Sequence, residues 1–465
     1  MVHCRPTVQP IPCNVTTLAE LNAPSASDPT NIDALAENAR QSAQAGQLQL
    51  ATSLYTQLLQ LAPGHADALN FFGTRALNSE QFSQSIELFQ RALATHPQDA
   101  SLHKNLGLAY RGLGALPEAL AAFDTALSIR PGYPAALLHK AAILEQLGRH
   151  QEALNGYLAA LSQADKHGWL VQPAGLPSGL RHVMQRAIAA VQQARKAYLT
   201  QALMPLRTKR GAQALARVDR CLRIYLGKEP LPAGHPQQRC TLMTFPDIPA
   251  QAWFEHGQFP WLAEIEGHTD AIRAELQAVL GGHEGFRPFI TIPRDHAGAR
   301  RWEALNDSPD WNAFFFYRDG QRYAENCKRC PVTSALLDNL PLSRMAGHSP
   351  ETFFSVLKPG AHIPPHTGVI NVRLVVHLPL IIPPDCGIRV GNITRGWKEG
   401  ECIVFDDTFE HEAWNRSDQT RVVLIFDIWN PYLTDTEKQA MRIVVEEIGH
   451  FNRMHGQPDQ AYASD

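Results

Sequence analysis

Three prolines, Pro63, Pro97 and Pro131, each close a similar run of residues and stand 34 positions apart. Aligning the chain on them brings Gly73, Gly107 and Ala141 into one column, and Ser85, Ala119 and Ala153 into another. Aromatic residues coincide at Tyr55, Phe89, Phe123 and Tyr157, with Ala92, Ala126 and Ala160 three residues beyond the last three. A period of this length constrains the fold more than any single motif, because each unit can bury its apolar face only against its neighbours. Two antiparallel helices per unit can approach closely where the small residues lie, and the aromatic fills the gap between repeats. Proline ends the second helix because it cannot continue the hydrogen-bond ladder. Four such units, from about Ile32 to about Asp165, make a stack with a concave groove.

The 34-residue pattern resembles the tetratricopeptide repeat, which implies a groove that binds peptides or protein surfaces. Helical periodicity continues in RHVMQRAIAAVQQARKAYLTQALMPL, expected to cap the last repeat, and GKEPLPAGHPQQRC reads as a boundary. The expected organisation is a disordered N-terminus over 1–31, four repeats over 32–165, and a helical cap and linker over 166–237. A second domain follows over 238–450, with a flexible tail over 451–465.

Apolar residues at 44% and charged residues at 19% describe a folded chain, and 465 residues give room for two or three cores. A net charge of −3 supplies no basic field for phosphate, so nucleic acid is not an expected partner. The basic run RTKRGAQALARVDRCLR reads as a solvated helix face. No stretch approaches the ~20 apolar residues that cross a bilayer, and the proline-interrupted N-terminus lacks the apolar core of a signal peptide. Together with eight scattered cysteines, this suits a cytoplasmic protein. Cys327 and Cys330, in CKRC, have metal-like spacing without the second pair of a structural zinc site. A redox or disulfide role is the other reading of that pair.

From Thr241 the texture changes. Short β-type runs dominate (WNAFFFYRDG, ETFFSVLKPG, NVRLVVHLPLII, CGIRVGNITRGW, GECIVFDD, TRVVLIFDIW), separated by Gly, Pro and Asp turns. They argue for an antiparallel sandwich or barrel. A last helix is expected in TDTEKQAMRIVVEEIGHF, opened by a Thr/Asp cap.

Two histidines of this region, His366 and His411, lie 45 positions apart at expected strand ends, and Arg421 follows ten positions after the second. Neutral imidazoles are ligands for iron, copper and zinc. An arginine at the rim of the same cavity can grip a carboxylate with two parallel hydrogen bonds. A single histidine of this kind would be an ordinary satisfied side chain. The three together describe a non-haem iron oxygenase that uses a 2-oxo acid. On the strand after His366, Arg373, Val375 and His377 share one face, a candidate cavity lining.

The runs FSVLKPGAHIPPHTG, NVRLVVHL, WKEGECIVFDDTFEHEAW and RVVLIFDIWNP closely resemble the aspartyl/asparaginyl β-hydroxylase family, over about 240 to 440. The resemblance implies a multidomain α + β protein, with helical repeats ahead of a double-stranded β-helix of jelly-roll, cupin-like type. It implies a dioxygenase dependent on Fe(II), 2-oxoglutarate and O2. By position, His366 and His411 become the iron ligands and Arg421 the partner of the distal carboxylate of 2-oxoglutarate. Ser355 and His377 become further contacts to 2-oxoglutarate. The implied substrate is the β-carbon of an Asp or Asn in a peptide or protein recruited by the repeats.

Gly368 stands two residues after His366, where most 2-oxoglutarate oxygenases supply a carboxylate ligand, although the family resembled here also has glycine. Val375 stands where animal members carry an arginine, for which Arg373 is a candidate substitute. Glu410, Glu412, Asp406 and Asp407 flank His411, either orienting it or standing as solvated turn carboxylates. Three other readings stay open: a scaffold with a relic oxygenase domain, a lipid acyl-chain hydroxylase, and a cupin-like zinc or manganese enzyme. The lack of a membrane segment or basic amphipathic surface weighs against the lipid reading.

Overall fold

A computed structural model describes residues 29–282, 284–293 and 297–456. The expected disordered N-terminus, up to position 28, and the expected flexible tail, from position 457, lie outside the described residues. The chain divides into two compact units after Arg149.

The first unit holds helices α1 (Pro29–Gln44), α2 (Leu48–Leu61), α3 (Ala66–Asn78), α4 (Phe82–Thr95), α5 (Ala100–Leu113), α6 (Leu116–Ile129) and α7 (Pro134–Gln146). Each repeat proline stands two residues past the end of α2, α4 or α6, where a helix has already released its chain. The aligned small residues mark where two helices of one repeat cross. A Cβ on Gly73 would come within 2.7 Å of the Phe89 ring, and one on Gly107 within 3.0 Å of Phe123. Ser85 Oγ donates to the Gly73 carbonyl at 2.9 Å, tying the same crossing. The aromatics thus rest first on their own repeat's small residue. Phe89 then reaches Leu102 and Leu106 of the next repeat.

The second unit opens with α8 (His150–Lys166), α9 (Ser178–Arg210) and α10 (Ala216–Tyr225). Within it, α9 runs against α8 and also against α15 (Asp435–Met454), the closing helix. Leu199 and Leu203 of α9, Val218 of α10 and Met441 and Val445 of α15 share one core. The helix expected only to cap the repeats therefore also braces the β-region. Thr434 and Glu437 form the capping box that starts α15.

The strands are β1 (Trp253–Phe254), β2 (Phe286–Pro288), β3 (Trp311–Arg318), β4 (Gln321–Arg322), β5 (Thr352–Leu357) and β6 (His362–His366). They continue with β7 (Arg373–Ile381), β8 (Cys386–Val390), β9 (Ile393–Arg395), β10 (Ile403–Phe405), β11 (His411–Asn415) and β12 (Arg421–Trp429). They form two antiparallel sheets: a large one ordered β1-β10-β7-β12-β5-β3-β2, with β4 on β3, and a small one ordered β6-β11-β8-β9. Alternation along the large sheet explains its two faces. Phe314, Phe354, Leu374, Val376, Leu378 and Leu424 pack on one side with α11 (Leu262–Glu266), α12 (Thr269–Gly282) and α14 (Pro331–Asn339). Residues of the opposite parity, Trp311, Val375 and Val423, face the small sheet's Ile363, Ile388, Val390 and Ala413. Both faces of β7 are covered, so its polar residues are buried as well.

Helix α13 (Ala324–Arg329) carries Cys327, whose Sγ lies 3.7 Å from the Phe316 carbonyl. Burial pushes the Cys330 thiol up to about 12. Among the described residues, no group of three or more His, Cys, Asp or Glu side chains is placed to hold a metal.

Candidate active site

His366 closes β6 rather than opening a strand, and His411 opens β11. The two are direct cross-strand partners in the small sheet. Their ring centroids are 4.0 Å apart at an interplanar angle of 50°. One local device orients both rings: His366 Nδ1 lies 2.8 Å from the Pro364 carbonyl, and His411 Nδ1 lies 3.0 Å from the Phe409 carbonyl. A carbonyl only accepts, so each Nδ1 carries the proton and each Nε2 keeps a lone pair. Burial, together with the charge of the partner ring on His366, holds both below the ordinary imidazole range. Two neutral imidazoles with fixed tautomers fit a divalent transition metal. Trp302 meets the His366 ring edge-on at 5.1 Å, and Phe405 lies 5.6 Å from His411.

The carboxylates around His411 separate by partner. Glu412 takes His362 at 2.8 Å and Arg389, and Glu410 also takes Arg389, at 3.0 Å. Asp406 closes its own turn, accepting from the Thr408 amide at 2.9 Å and from Gln238 at 3.0 Å. Burial raises its carboxyl to about 7. Asp407 alone of the four lines the cavity beside the histidines. Its Oδ2 accepts from Arg373 at 3.0 Å, and its Oδ1 is buried without a hydrogen-bond partner among the described residues. Arg373 also pairs with buried Asp427, so its charge is already met by two carboxylates.

Arg421 is the opposite case. It is 1% exposed, and no carboxylate lies within ion-pair distance among the described residues. Its guanidinium sits 4.8 Å over the Trp397 ring, and Nη1 reaches Ser355 Oγ at 3.4 Å. Burial pushes its pKa down to about 10. Ser355 also accepts from Trp311 Nε1 at 3.1 Å and does not itself line the cavity. His377 Nδ1 accepts from Trp397 Nε1 at 3.3 Å, which leaves its proton on Nε2. Burial and the neighbouring Arg421 charge hold His377 well below the usual range.

His366, His411, Asp407, Arg373, His377 and Arg421 line one cavity of 230 Å³. Sequence reasoning missed Trp397, the platform under Arg421, although it stands in the quoted run WKEGEC. It also missed Asp427 and Glu351, although they stand in the quoted runs RVVLIFDIWNP and ETFFSVLKPG, and Trp302, which lies outside any quoted run and reaches the cavity only through the fold.

Residues 266–431 match the aspartyl/asparaginyl beta-hydroxylase family, and residues 72–134 match the tetratricopeptide repeat. The human aspartyl/asparaginyl beta-hydroxylase is 28% identical over 407 residues, covering 85% of this chain and 47% of its own length. An ornithine lipid ester-linked acyl 2-hydroxylase of Rhizobium tropici is 38% identical over 181 residues, covering 38% of this chain and 60% of its own. The human aspartate beta-hydroxylase domain-containing protein 2 is 34% identical over 213 residues, covering 44% of this chain and 55% of its own. The chain thus spans about half the length of the curated relatives it matches. It carries, over residues 266–431, a domain of the aspartyl/asparaginyl β-hydroxylase family, with tetratricopeptide repeats ahead of it.

Proposed function

We propose that this chain is an Fe(II)- and 2-oxoglutarate-dependent hydroxylase, and that its two facing sheets are a double-stranded β-helix of jelly-roll type. The overall change is R–H + O2 + 2-oxoglutarate to R–OH + succinate + CO2. The observation that carries this reading is Arg421, a buried guanidinium without a carboxylate partner among the described residues, in the same cavity as a neutral imidazole pair. A lone buried charge costs several kcal/mol, and a cavity that retains one is suited to an anion that completes it. The distal carboxylate of 2-oxoglutarate has the charge and the fork geometry for that role.

His366 and His411 would hold the iron through Nε2, and the bound metal and cosubstrate would supply the oxidising chemistry. The chain's own residues bind, orient and shield. Trp397 keeps the guanidinium plane in place, and His377 presents an Nε2–H beside Arg421. Trp302 and Phe405 flank the imidazole pair and would limit water there once substrate closes the cavity, which would protect a reactive centre from side reactions. Asp407 offers its unpartnered oxygen next to residue 368, where a third protein ligand is missing.

For the substrate, the family resemblance favours an Asp or Asn side chain of a peptide presented by the repeats. A second reading, an acyl chain, draws on the cavity's apolar walls, Phe289, Ile290, Ile292, Phe353 and Ile425, and on likeness to the rhizobial acyl hydroxylase. The test is succinate formation from 2-oxoglutarate with Fe(II) added anaerobically and O2 then admitted. Turnover is expected in the native chain and not in His366→Ala. Equal succinate from both, or none from either, sinks the proposal and favours a scaffold with a relic domain.

A further inference from the structure

The cavity is electrically polar from end to end. Strand β5 sets its axis: Phe353 and Glu351, immediately before the strand, line the cavity, and Ser355, the next residue of the same parity, meets Arg421 behind its wall. Four residues of extended chain separate Glu351 from Ser355 by about 13 Å. The Ser355 end holds Arg421, which has no carboxylate partner among the described residues. The Glu351 end carries Asp319, Glu351 and Asp427 with the guanidiniums Arg318 and Arg373, and Arg373 links Asp427 to Asp407 beside the histidines.

That end keeps one carboxyl, Glu351, without an ion-pair partner among the described residues. Arg373 is occupied by Asp407 and Asp427. Arg318 stacks 4.7 Å over the Phe315 ring and reaches the Phe289 carbonyl at 3.5 Å, not the Glu351 carboxylate. Glu351 is 8% exposed and accepts only the Asp319 amide, at 2.6 Å. No cation lies within ion-pair distance of it among the described residues. Burial and the charges of Asp319 and Asp427, against the Asp319 amide and the Arg318 charge, raise its carboxyl to about 8, so the empty site favours the protonated form and an arriving cation would favour the ionised one. The cavity that holds Glu351 and the histidine pair also has the apolar walls Phe289, Ile292, Trp302 and Phe353, which suit an alkyl stem.

We infer that Glu351 receives a cationic group of the substrate, an ammonium or guanidinium on an alkyl stem, while the reacting carbon lies nearer the histidines. This rests on the hydroxylase reading for what happens next, but the binding itself needs neither metal nor turnover. Such a group can come from a basic residue in a peptide or from a free diamino acid or its lipid conjugate. The recognition chemistry is the same for both.

The test uses the full chain and ligand-observed NMR with three probes of equal stem: n-pentylammonium, n-pentanol and pentanoate. The ammonium is expected to bind on the order of tenfold tighter than the alcohol, as a charge-assisted hydrogen bond in a buried site would give. In Glu351→Gln, which keeps a carbonyl for the Asp319 amide, the preference disappears while alcohol binding is unchanged. Nα-acetyl-lysine methylamide and free ornithine then separate the sources: preferential binding of either supports the inference and assigns the source. Equal affinity for ammonium and alcohol in the native chain overturns it, and needs no variant. So does an ammonium preference that survives Glu351→Gln in a variant that still unfolds cooperatively. Failure of the hydroxylase reading would show instead as absent succinate formation with probe binding intact.

Discussion

A Cβ placed on Gly368 would come closer than 3.0 Å to the carboxylate of Asp407, and the Gly368 amide donates to the Asp407 carbonyl at 2.6 Å. The space where many oxygenases grow a third ligand from the first histidine's strand is taken here by a side chain from the second histidine's turn. The glycine is therefore a packing requirement as well as a missing ligand. Gly368→Ala is expected to destabilise the fold by about 1–3 kcal/mol through overpacking, measured by denaturant unfolding. Adding Asp407→Gly should recover part of that loss, because the two sites are coupled.

Arg421 trades stability for binding. Arg421→Met removes an uncompensated buried charge and is expected to raise stability by roughly 1–3 kcal/mol. The same variant should lose the melting-temperature increase expected of the native chain with 2-oxoglutarate. Arg421→Lys keeps the charge without the fork, so its 2-oxoglutarate affinity should fall while some thermal shift remains. Thermal unfolding with and without 2-oxoglutarate checks all three.

The imidazole pair should govern metal content. His366→Ala and His411→Ala are each expected to lower bound Fe(II) or Mn(II) well below about one per chain after gel filtration. Cys327→Ser with Cys330→Ser should leave it unchanged, since Cys327 and Cys330 are buried away from the cavity lining. Elemental analysis of the purified proteins reads the outcome.

Glu351 makes stability depend on pH. Its folded carboxyl is raised from 4.5 to about 8 by burial and by Asp319 and Asp427, against the Asp319 amide and Arg318. A raised carboxyl favours the protonated form in the fold, so its contribution is full below pH 4.5 and is lost as pH rises through about 8. Glu351→Gln, which cannot ionise, should gain on the native chain across that window by roughly 1–3 kcal/mol and hold the gain above it. Urea unfolding at pH 4.5, 6.5 and 8.5 measures this; a constant difference at all three would refute it.

In the repeats, Gly73→Ala places a methyl 2.7 Å from the Phe89 ring. A loss of about 1–3 kcal/mol is expected in the helical melt, partly recovered by Phe89→Leu. Gly46, with φ +74 and nothing within 4 Å, should instead lose stability to alanine through backbone strain alone.

Much of the architecture was legible because it is written locally. The 34-residue period, the prolines past α2, α4 and α6, the alternation of β7 and the Thr434 cap each depend on residues within a few turns or one repeat. Residue chemistry also pointed to His366, His411 and Arg421 as a group. The sequence by itself determined which side chains could ligate or grip an anion. Only the tertiary structure decided which of them are free to do so. It set His366 opposite His411, met the Arg373 charge with Asp407 and Asp427, left Arg421 on Trp397 without a carboxylate, and turned Asp407 but not Glu410 toward the cavity. The reason is physical: helix and strand periodicity are set by near neighbours, whereas the charge balance of a buried site depends on strand register between residues tens of positions apart.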